Sequence, residues 1–594
     1  MCGIGGILTV NQYQGNLENI IQRIQAGLKH RGPDDAGIYI SKERQAAFAH
    51  TRLSILDLSP AGHQPMSTAD GRYWITFNGE IYNFQQLRQN LISQGEQFHS
   101  QTDTEVILKL YQKSGFDCVH YLRGMFAFAI WDDWEKTCFV ARDALGIKPL
   151  YYWQSGSTLV FASELRAILA SGLPAVNLSV EGLYGYLVTG SVPEPHTLIA
   201  DVYCLAAGHW LYWQGENTTK KQYWQINFTP EQISPIEAQE RVRTALVDSI
   251  QHHFISDVPV GIFLSGGIDS TAILALATQT QHKKLSTYSI AFAEEEWNEG
   301  EIAQKVANLF STKHTEYQVT ASFAKELFPK FLTAIDQPSI DGFNTFCVSK
   351  VAHENGMKVV LSGLGGDEIF GGYQSFQKVP QMVSWSKKLH VLPFISKSLG
   401  MGLSDWGNSP RMKRLGDFLK ETPSFTSAYR SFRGIFSHQE ACAIIEQLIG
   451  ERFVCQQQLD IHNFTPKDAV SFLELSCYMR NQLLKDGDVM SMNWGLELRV
   501  PFVDKNLIET VAVIPTNIRL SRGKELLVKA VPELPDWVVN RPKKGFYFPF
   551  QSWMSSEFGH YFDNQNIPSN ICLKSWYRRW SLAILKYWCD QIKV

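Results

Sequence analysis

The stretch Val258-Pro-Val-Gly-Ile-Phe-Leu-Ser-Gly-Gly-Ile-Asp-Ser-Thr271 decides how the second half of this chain folds. Residues 260–264 are a short apolar run of the kind that makes a strand buried on both faces. Ser265, Gly266 and Gly267 then turn the chain, and Thr271-Ala-Ile-Leu-Ala-Leu-Ala277 has the composition of a helix packed on that sheet. Strand, glycine-rich turn and helix together bring unpaired backbone N–H groups and the positive end of a helix dipole to one point, which suits an anion. The spaced Gly-Lys-Ser/Thr ending of a Walker A loop is absent. An ordinary glycine-rich turn reads the same way, so neighbouring segments must discriminate.

Downstream, strand-like and helix-like pieces alternate. Residues 285–292 read as a strand, 301–310 have helical spacing, and 314–319 are strand-like. Val359-Val-Leu361 then runs into Ser362-Gly-Leu-Gly-Gly-Asp-Glu-Ile-Phe-Gly-Gly-Tyr373. This alternation predicts a Rossmann-like parallel sheet with ligands at the C-terminal strand ends. Asp367 therefore falls where it can meet Asp269. Two carboxylates converging beside an anion site make a seat for Mg²⁺, which usually takes one or two carboxylates plus phosphate oxygens; a solvated acidic turn is the plainer alternative. From residue 472 on the chain reads as largely helical. Ser-Gly-Gly-x-Asp-Ser behind a strand resembles the pyrophosphate loop of the ATP pyrophosphatases. That resemblance implies that Ser265, Gly266, Gly267 and Ser270 grip the pyrophosphate of ATP and that Asp269 holds magnesium.

The chain has 594 residues, enough for two or three domains. Its 55 basic and 58 acidic residues leave a net charge of −3, so nucleic acid and membrane partners are not expected. No run of about 18 apolar residues suggests a membrane span. The first ten residues lack a basic region and turn polar at Asn11, so no signal peptide is expected. Ten cysteines are scattered without a Cys-x-x-Cys pair. They read as reduced thiols of a cytoplasmic protein, with neither a zinc site nor a disulfide framework.

Cys2 becomes the N-terminus once Met1 is removed. An N-terminal cysteine carries its own base, an α-amino group of pKa about 7.7–8.0 beside a thiol near about 8.5. Four later segments give it company. His30-Arg-Gly-Pro-Asp-Asp35 is a tight polar turn. Arg52 presents a planar fork suited to a carboxylate. Asn78-Gly-Glu-Ile-Tyr-Asn83 follows the expected strand 74–77, where the Asn78 amide and the Gly79 N–H can face a tetrahedral oxyanion. Thr102-Asp-Thr-Glu105 opens a helix, and Asp103 can bind an ammonium group. Taken singly, each fits a plainer role: a surface ion pair, a hairpin turn, a helix cap.

In this order behind Cys2, with Arg142-Asp-Ala-Leu-Gly-Ile-Lys-Pro-Leu-Tyr151 and Ala162-Ser-Glu164, these segments resemble the glutaminase domain of class II, N-terminal-nucleophile amidotransferases. The resemblance covers residues 2–210. It implies an αββα sandwich that hydrolyses glutamine through a thioester at Cys2, with Asn78 and Gly79 as oxyanion hole and Arg52, Asn78, Glu80 and Asp103 holding the glutamine. Residues 211–240, polar and interrupted by Pro230 and Pro235, read as a linker to a second domain at 241–594.

Both halves together resemble the glutamine-hydrolysing asparagine synthetases. The resemblance implies ATP-dependent conversion of aspartate to asparagine through an aspartyl-adenylate, fed by ammonia through an apolar tunnel, with ATP and Mg²⁺ as cofactors. It further implies ATP contacts at Leu264, Ile290, Ser362 and Gly363, and metal at Asp269 and Asp367. A homodimer is left open. Two positions depart from the family pattern. Leu364 stands where those enzymes carry a glutamate, and Val489 where they carry a basic residue, for which Lys485, Lys543 or Lys544 are candidate replacements. A different carboxylate, on a peptide or a sugar acid, is therefore the alternative acceptor.

Overall fold

The computed structural model describes residues 2–13, 15–292, 300–407, 409–450, 464–542, 549–555, 558–562, 567–568 and 571–593. Its N-terminal half stacks two six-stranded sheets. The first runs, edge to edge, Val202–Cys204, Tyr151–Ser155, Thr158–Ala162, Gly3–Leu8, Ala46–Arg52, Asp35–Ile40. The second runs Asn217–Gln222, His209–Gln214, Thr137–Arg142, Gly124–Asp132, Tyr73–Ile81, Met66–Ser67. All their pairings are antiparallel. Ile4, Phe48 and Phe161 of the first sheet meet Trp131, Leu211 and Trp213 of the second in one apolar layer.

Helices close the outer faces. Leu17–Gly27 buries Leu17, Ile20, Ile21 and Ile24, the one-sided spacing of an amphipathic helix, and Asn16 caps it by accepting from Asn19 N at 2.9 Å. Truncating Ile24 to alanine should cost about 2–5 kcal/mol. Phe84–Ser93 and Asp103–Ser114 cover the second sheet. The expected αββα sandwich is therefore the observed one.

The sandwich continues past residue 210. The hairpin of His209–Gln214 and Asn217–Gln222 adds two strands to the second sheet, so only the later part of 211–240 connects the halves. The outer strand, Asn-Thr-Thr-Lys-Lys-Gln, reads as linker because an edge strand facing water needs no apolar alternation.

The second half holds a five-stranded, wholly parallel sheet in the order Lys313–Val319, Ser286–Phe292, Val260–Phe263, Val359–Leu361, Glu497–Arg499. The chain order reverses between Val260–Phe263 and Val359–Leu361, and such a switch point opens a crevice at the strand ends. Both glycine-rich loops leave the sheet there. Helices make up most of the rest, including Pro466–Leu473, a π-helical Glu474–Leu484 and Lys485–Met492. The two halves share apolar cores: Leu187 and Leu198 pack in one cluster with Phe331 and Trp580, and Met125 and Ile147 in another with Leu246 and Leu484. Buried ion pairs also cross the boundary, Arg123 to Asp504 at 2.9 Å and Arg31 to Asp488 at 2.7 Å. Removing one partner of such a pair leaves a buried charge, a loss of about 3–5 kcal/mol.

Candidate active site

Cys2 immediately precedes a central strand of the first sheet. That strand can lie close under its helix because a Cβ on Gly5 would sit 2.4 Å from Ile24 Cγ2. The Cys2 N–H donates to Asn78 Oδ1 at 3.0 Å, and the Cys2 carbonyl accepts from Arg31 Nε at 3.0 Å. Burial pushes the thiol above its ordinary range, opposed in part by a hydrogen bond from the Leu53 backbone and by the Arg52 charge. Asn78 is fully buried, and its Nδ2 finds no hydrogen-bond partner among the described residues. A buried donor without a partner is costly, so this one is fitted to something that arrives.

Asn78 and Gly79 lie inside the strand Tyr73–Ile81, not in a turn behind it. Gly79 has φ +154°, and a Cβ there would fall 2.1 Å from the Met125 carbonyl oxygen. Only glycine fits. Arg52 donates to the carbonyls of Leu56 and Ser59 at 3.2 Å and of Asp57 at 2.5 Å. Asp103 accepts from Ile81 N at 2.9 Å, while Thr102 caps the helix. Burial raises the Asp103 carboxyl to about 7. Glu80 turns toward the second half of the chain, its Oε1 3.4 Å from Arg499 Nη2. Burial and the Glu497 charge push Glu80 well above the carboxylate range. Glu497, against its own burial, is held at about 2 by Arg499. The two carboxylates are thus driven in opposite directions, Glu80 up and Glu497 down.

Arg31, Lys148, Glu497 and Arg499 were not legible as site residues. Arg31 is wholly buried and ties Cys2 to Glu164 at 2.8 Å and to Asp488. Lys148 Nζ lies 3.6 Å from Asp488 with no hydrogen-bond partner among the described residues. The expected apolar passage thus begins in a strongly polar chamber. The signal available in sequence was only charge inside otherwise apolar runs, at Gly-Ile-Lys148-Pro-Leu and Leu-Glu497-Leu-Arg499-Val.

The second centre is made by the two loops. Gly266 has φ +71°, and helix Ile268–Thr280 begins after Gly267 with no side-chain cap. The Ser265 and Ser270 hydroxyls are 3.1 Å apart. Leu264 is buried, its N–H donating to the Tyr288 carbonyl at 2.9 Å, and Ile290 is buried on the adjacent strand. The second loop presses on the first: a Cβ on Gly363 would lie 3.0 Å from Ser270 N, and one on Gly366 2.5 Å from Asp269 Oδ1. Asp269 and Asp367 do meet, on Lys524. Its Nζ is 2.7 and 2.6 Å from the Asp269 oxygens and also bonds Asp367. Lys524 is a non-glycine residue at φ +57°, a backbone conformation held only where the surroundings enforce it. Because both carboxylates already share one cation, they fit a divalent ion such as Mg²⁺ in the same place, with Lys524 then free for phosphate.

On the acceptor side, Leu364 packs between the two large cores and Val489 is buried in one of them. Lys485 donates to the Val192 carbonyl at 2.8 Å, and Lys543 and Lys544 lie outside the described residues. Asp336 accepts from Leu165 N and Arg166 N and so serves the boundary between the halves. Asp341 and Asp486 are both raised by burial, Asp486 well above its ordinary range because the Asp341 charge adds to it; Ser339 Oγ donates to Asp486 at 2.6 Å.

A sandwich of this order with cysteine before its central strand, joined to a parallel sheet with two glycine-rich loops at its switch point, defines a two-domain glutamine amidotransferase. The chain belongs to the asparagine synthase family: that family matches residues 241–572, and the glutamine amidotransferase domain family matches residues 1–224. It is 32% identical, over 95% of its length and 89% of the relative's, to Asparagine synthetase [glutamine-hydrolyzing] 1 of Bacillus subtilis. It is 37% identical to Putative asparagine synthetase [glutamine-hydrolyzing] 2 of Methanocaldococcus jannaschii, over 63% of this chain and 76% of that one. Amidase chry2 of Gibberella zeae is 26% identical over 93% and 90%.

Proposed function

We propose that this protein is a ligase that makes asparagine from aspartate, ATP and glutamine. One observation carries the reading. Ser362 N of the second loop donates to the Arg499 carbonyl at 2.9 Å, while the Arg499 side chain approaches Glu80, two residues from Asn78. A single residue thus touches both centres, which supports a transfer of ammonia from one to the other.

At the first centre the α-amino group of Cys2 takes the thiol proton, and the sulfur attacks the glutamine amide carbon. Asn78 Nδ2 and the Gly79 N–H hold the oxyanion. The amine returns the proton to the departing nitrogen, which leaves as ammonia, and water then cleaves the thioester to glutamate. Arg52, Asn78, Glu80 and Asp103 hold the substrate. Glu80 and Glu497 both face Arg499, which joins this chamber to the second half of the chain.

At the second centre Leu264, Ile290, Ser362 and Gly363 take ATP, and Ser265, Gly266, Gly267 and Ser270 the departing pyrophosphate at the helix N-terminus. Asp269 and Asp367 would hold Mg²⁺, which when bound neutralises charge on the pyrophosphate. The carboxylate oxygen displaces pyrophosphate from ATP, ammonia attacks the acyl carbon, and AMP leaves with the amide formed. The scattered free thiols suit the cytoplasm.

A second reading, amidation of another carboxylate, is favoured by Leu364, which cannot accept a hydrogen bond, and by the half-buried Asp341 beside the buried Asp486. Pyrophosphate release from a panel of carboxylates, with rescue of an asparagine auxotroph, tests both. Release with aspartate and growth without asparagine support the first reading. Release with another carboxylate alone replaces it by the second.

A further inference from the structure

The helix Pro393–Trp406 is built inside out. Its inward residues are Ser396, Gly400 and Ser404, spaced four apart, and they seat it on helix Pro410–Lys420. The fit is close: a Cβ on Gly400 would lie 2.8 Å from the Gly416 carbonyl, and one on Gly416 2.5 Å from Ser404 Oγ. Ser396 Oγ donates to the Leu419 carbonyl at 2.8 Å. Apart from Leu403, which packs against the neighbouring core, the large apolar side chains described on it face outward. Phe394 is 82% exposed, Val391 in the preceding turn 78% and Leu392 59%, with Ile395, Leu399 and Met401 beside them. Trp385, on helix Ser375–Leu389, is also exposed. An ordinary surface helix of a soluble domain has the opposite arrangement, and an apolar surface gathered like this marks a contact.

Charge identifies the contact. Between Ile369 and Ser404 there is no Asp or Glu, while Lys378, Lys387, Lys388 and Lys397 are present and exposed, in a chain whose net charge is −3. We propose that this hairpin docks on an anionic membrane surface. The lysines would lie among the lipid headgroups, and Val391, Leu392, Phe394 and Ile395 would enter the acyl boundary. A second copy of the chain is disfavoured, because a two-fold contact sets the same lysines against each other. A folded acidic protein would need a pocket shaped for side chains this far exposed, whereas a fluid bilayer needs none. The helix lies on the surface and does not cross it: its 14 residues span about 21 Å, and no helix among the described residues is long and apolar enough to cross. The expectation from net charge, that no membrane is involved, averages over the chain and misses this local segregation.

Flotation of the full chain with phosphatidylcholine vesicles, with and without phosphatidylglycerol, tests the proposal. Binding should require the anionic lipid and weaken as salt shortens the screening length. Val391→Glu with Phe394→Glu should lower binding at least about tenfold. Lys387→Glu with Lys388→Glu should flatten the salt dependence. All four side chains are exposed, so melting temperature and glutamine hydrolysis should not change, and folding does not confuse the result. No binding by the wild type at low salt overturns the proposal, as does undiminished binding by the glutamate pair. A dimer in sedimentation that Val391→Glu/Phe394→Glu dissolves would assign the face to a second copy instead. Retention on polyglutamate without retention on vesicles would assign it to an acidic protein.

Discussion

Around Cys2 the protein leaves polar atoms waiting, and around Asp269 its carboxylates are already clamped on a cation. Asn78 Nδ2, Lys148 Nζ and Arg499 Nη2 are buried without hydrogen-bond partners among the described residues, whereas Asp269 and Asp367 are clamped on Lys524. The difference follows from what holds each centre. Asn78 and Gly79 sit in mid-strand, with neighbours across the sheet at Ala127 and Phe126, so sheet register fixes them whether or not anything is bound. The other centre consists of loops rich in glycine, whose carboxylates would repel each other without a cation between them. The first site is preorganised by its backbone, and the second is held together by charge.

Cys2→Ala draws this contrast most sharply. It should abolish glutamine hydrolysis while synthesis from added ammonium salt survives, measured as glutamate and amide formed by the same preparation. Loss of both activities in a folded variant would show that the two centres are not separable. Asp269→Asn and Asp367→Asn should each lower pyrophosphate release by about 10²–10³, the scale of losing one preorganised electrostatic contact, and spare glutaminase activity. Near-normal release from both would remove them from the centre.

A smaller effect is expected at Leu364. If aspartate is the acceptor, Leu364→Glu should leave aspartate-dependent pyrophosphate release within a few-fold of wild type. If Leu364 lines the pocket of a less polar acceptor, the buried charge costs about 2 kcal/mol or more of binding unless paired or protonated, and KM for that acceptor rises while kcat holds.

The last effect is thermal and leaves catalysis aside. The Asp103 carboxyl is raised to about 7 in the folded chain from an ordinary value near 3.8. The folded state therefore holds the proton more tightly than the unfolded state. The resulting stability is full below about pH 4 and is lost as pH rises toward 7. Asp103→Asn keeps an acceptor for Ile81 N and cannot ionise, so its melting temperature should gain on wild type between pH 5 and pH 8. Parallel pH profiles would show that Asp103 is not titrating there.

The central strands of the parallel sheet, Val260–Phe263, Ser286–Phe292 and Val359–Leu361, were legible because each is a short, largely apolar run ended by a turn, whereas Glu497–Arg499 was not, since it is three residues with two charges inside a stretch that reads as helical. Cys2, Asn78, Asp269 and Asp367 were legible because chemistry restricts residue type at fixed places along the chain. The second-sheet hairpin at 209–222 was not, since its outer strand is wetted and polar. Nor was the membership of Asn78 in a strand interior, because Asn-Gly is also the commonest signal for a tight hairpin.

By itself, then, the sequence determined two chemical kits and the class of fold that carries each, through local rules of periodicity, turn chemistry and reactive residue type. Tertiary structure alone decided that Arg31 reaches both Cys2 and Asp488, 457 residues downstream of it, that Glu80 faces Arg499, and that Lys524 closes the Asp269–Asp367 pair. It alone decided that Ser396, Gly400 and Ser404 face inward while Phe394 faces out. These are contacts between segments far apart in the chain, and their energies depend on burial and distance, which no local pattern of residues encodes.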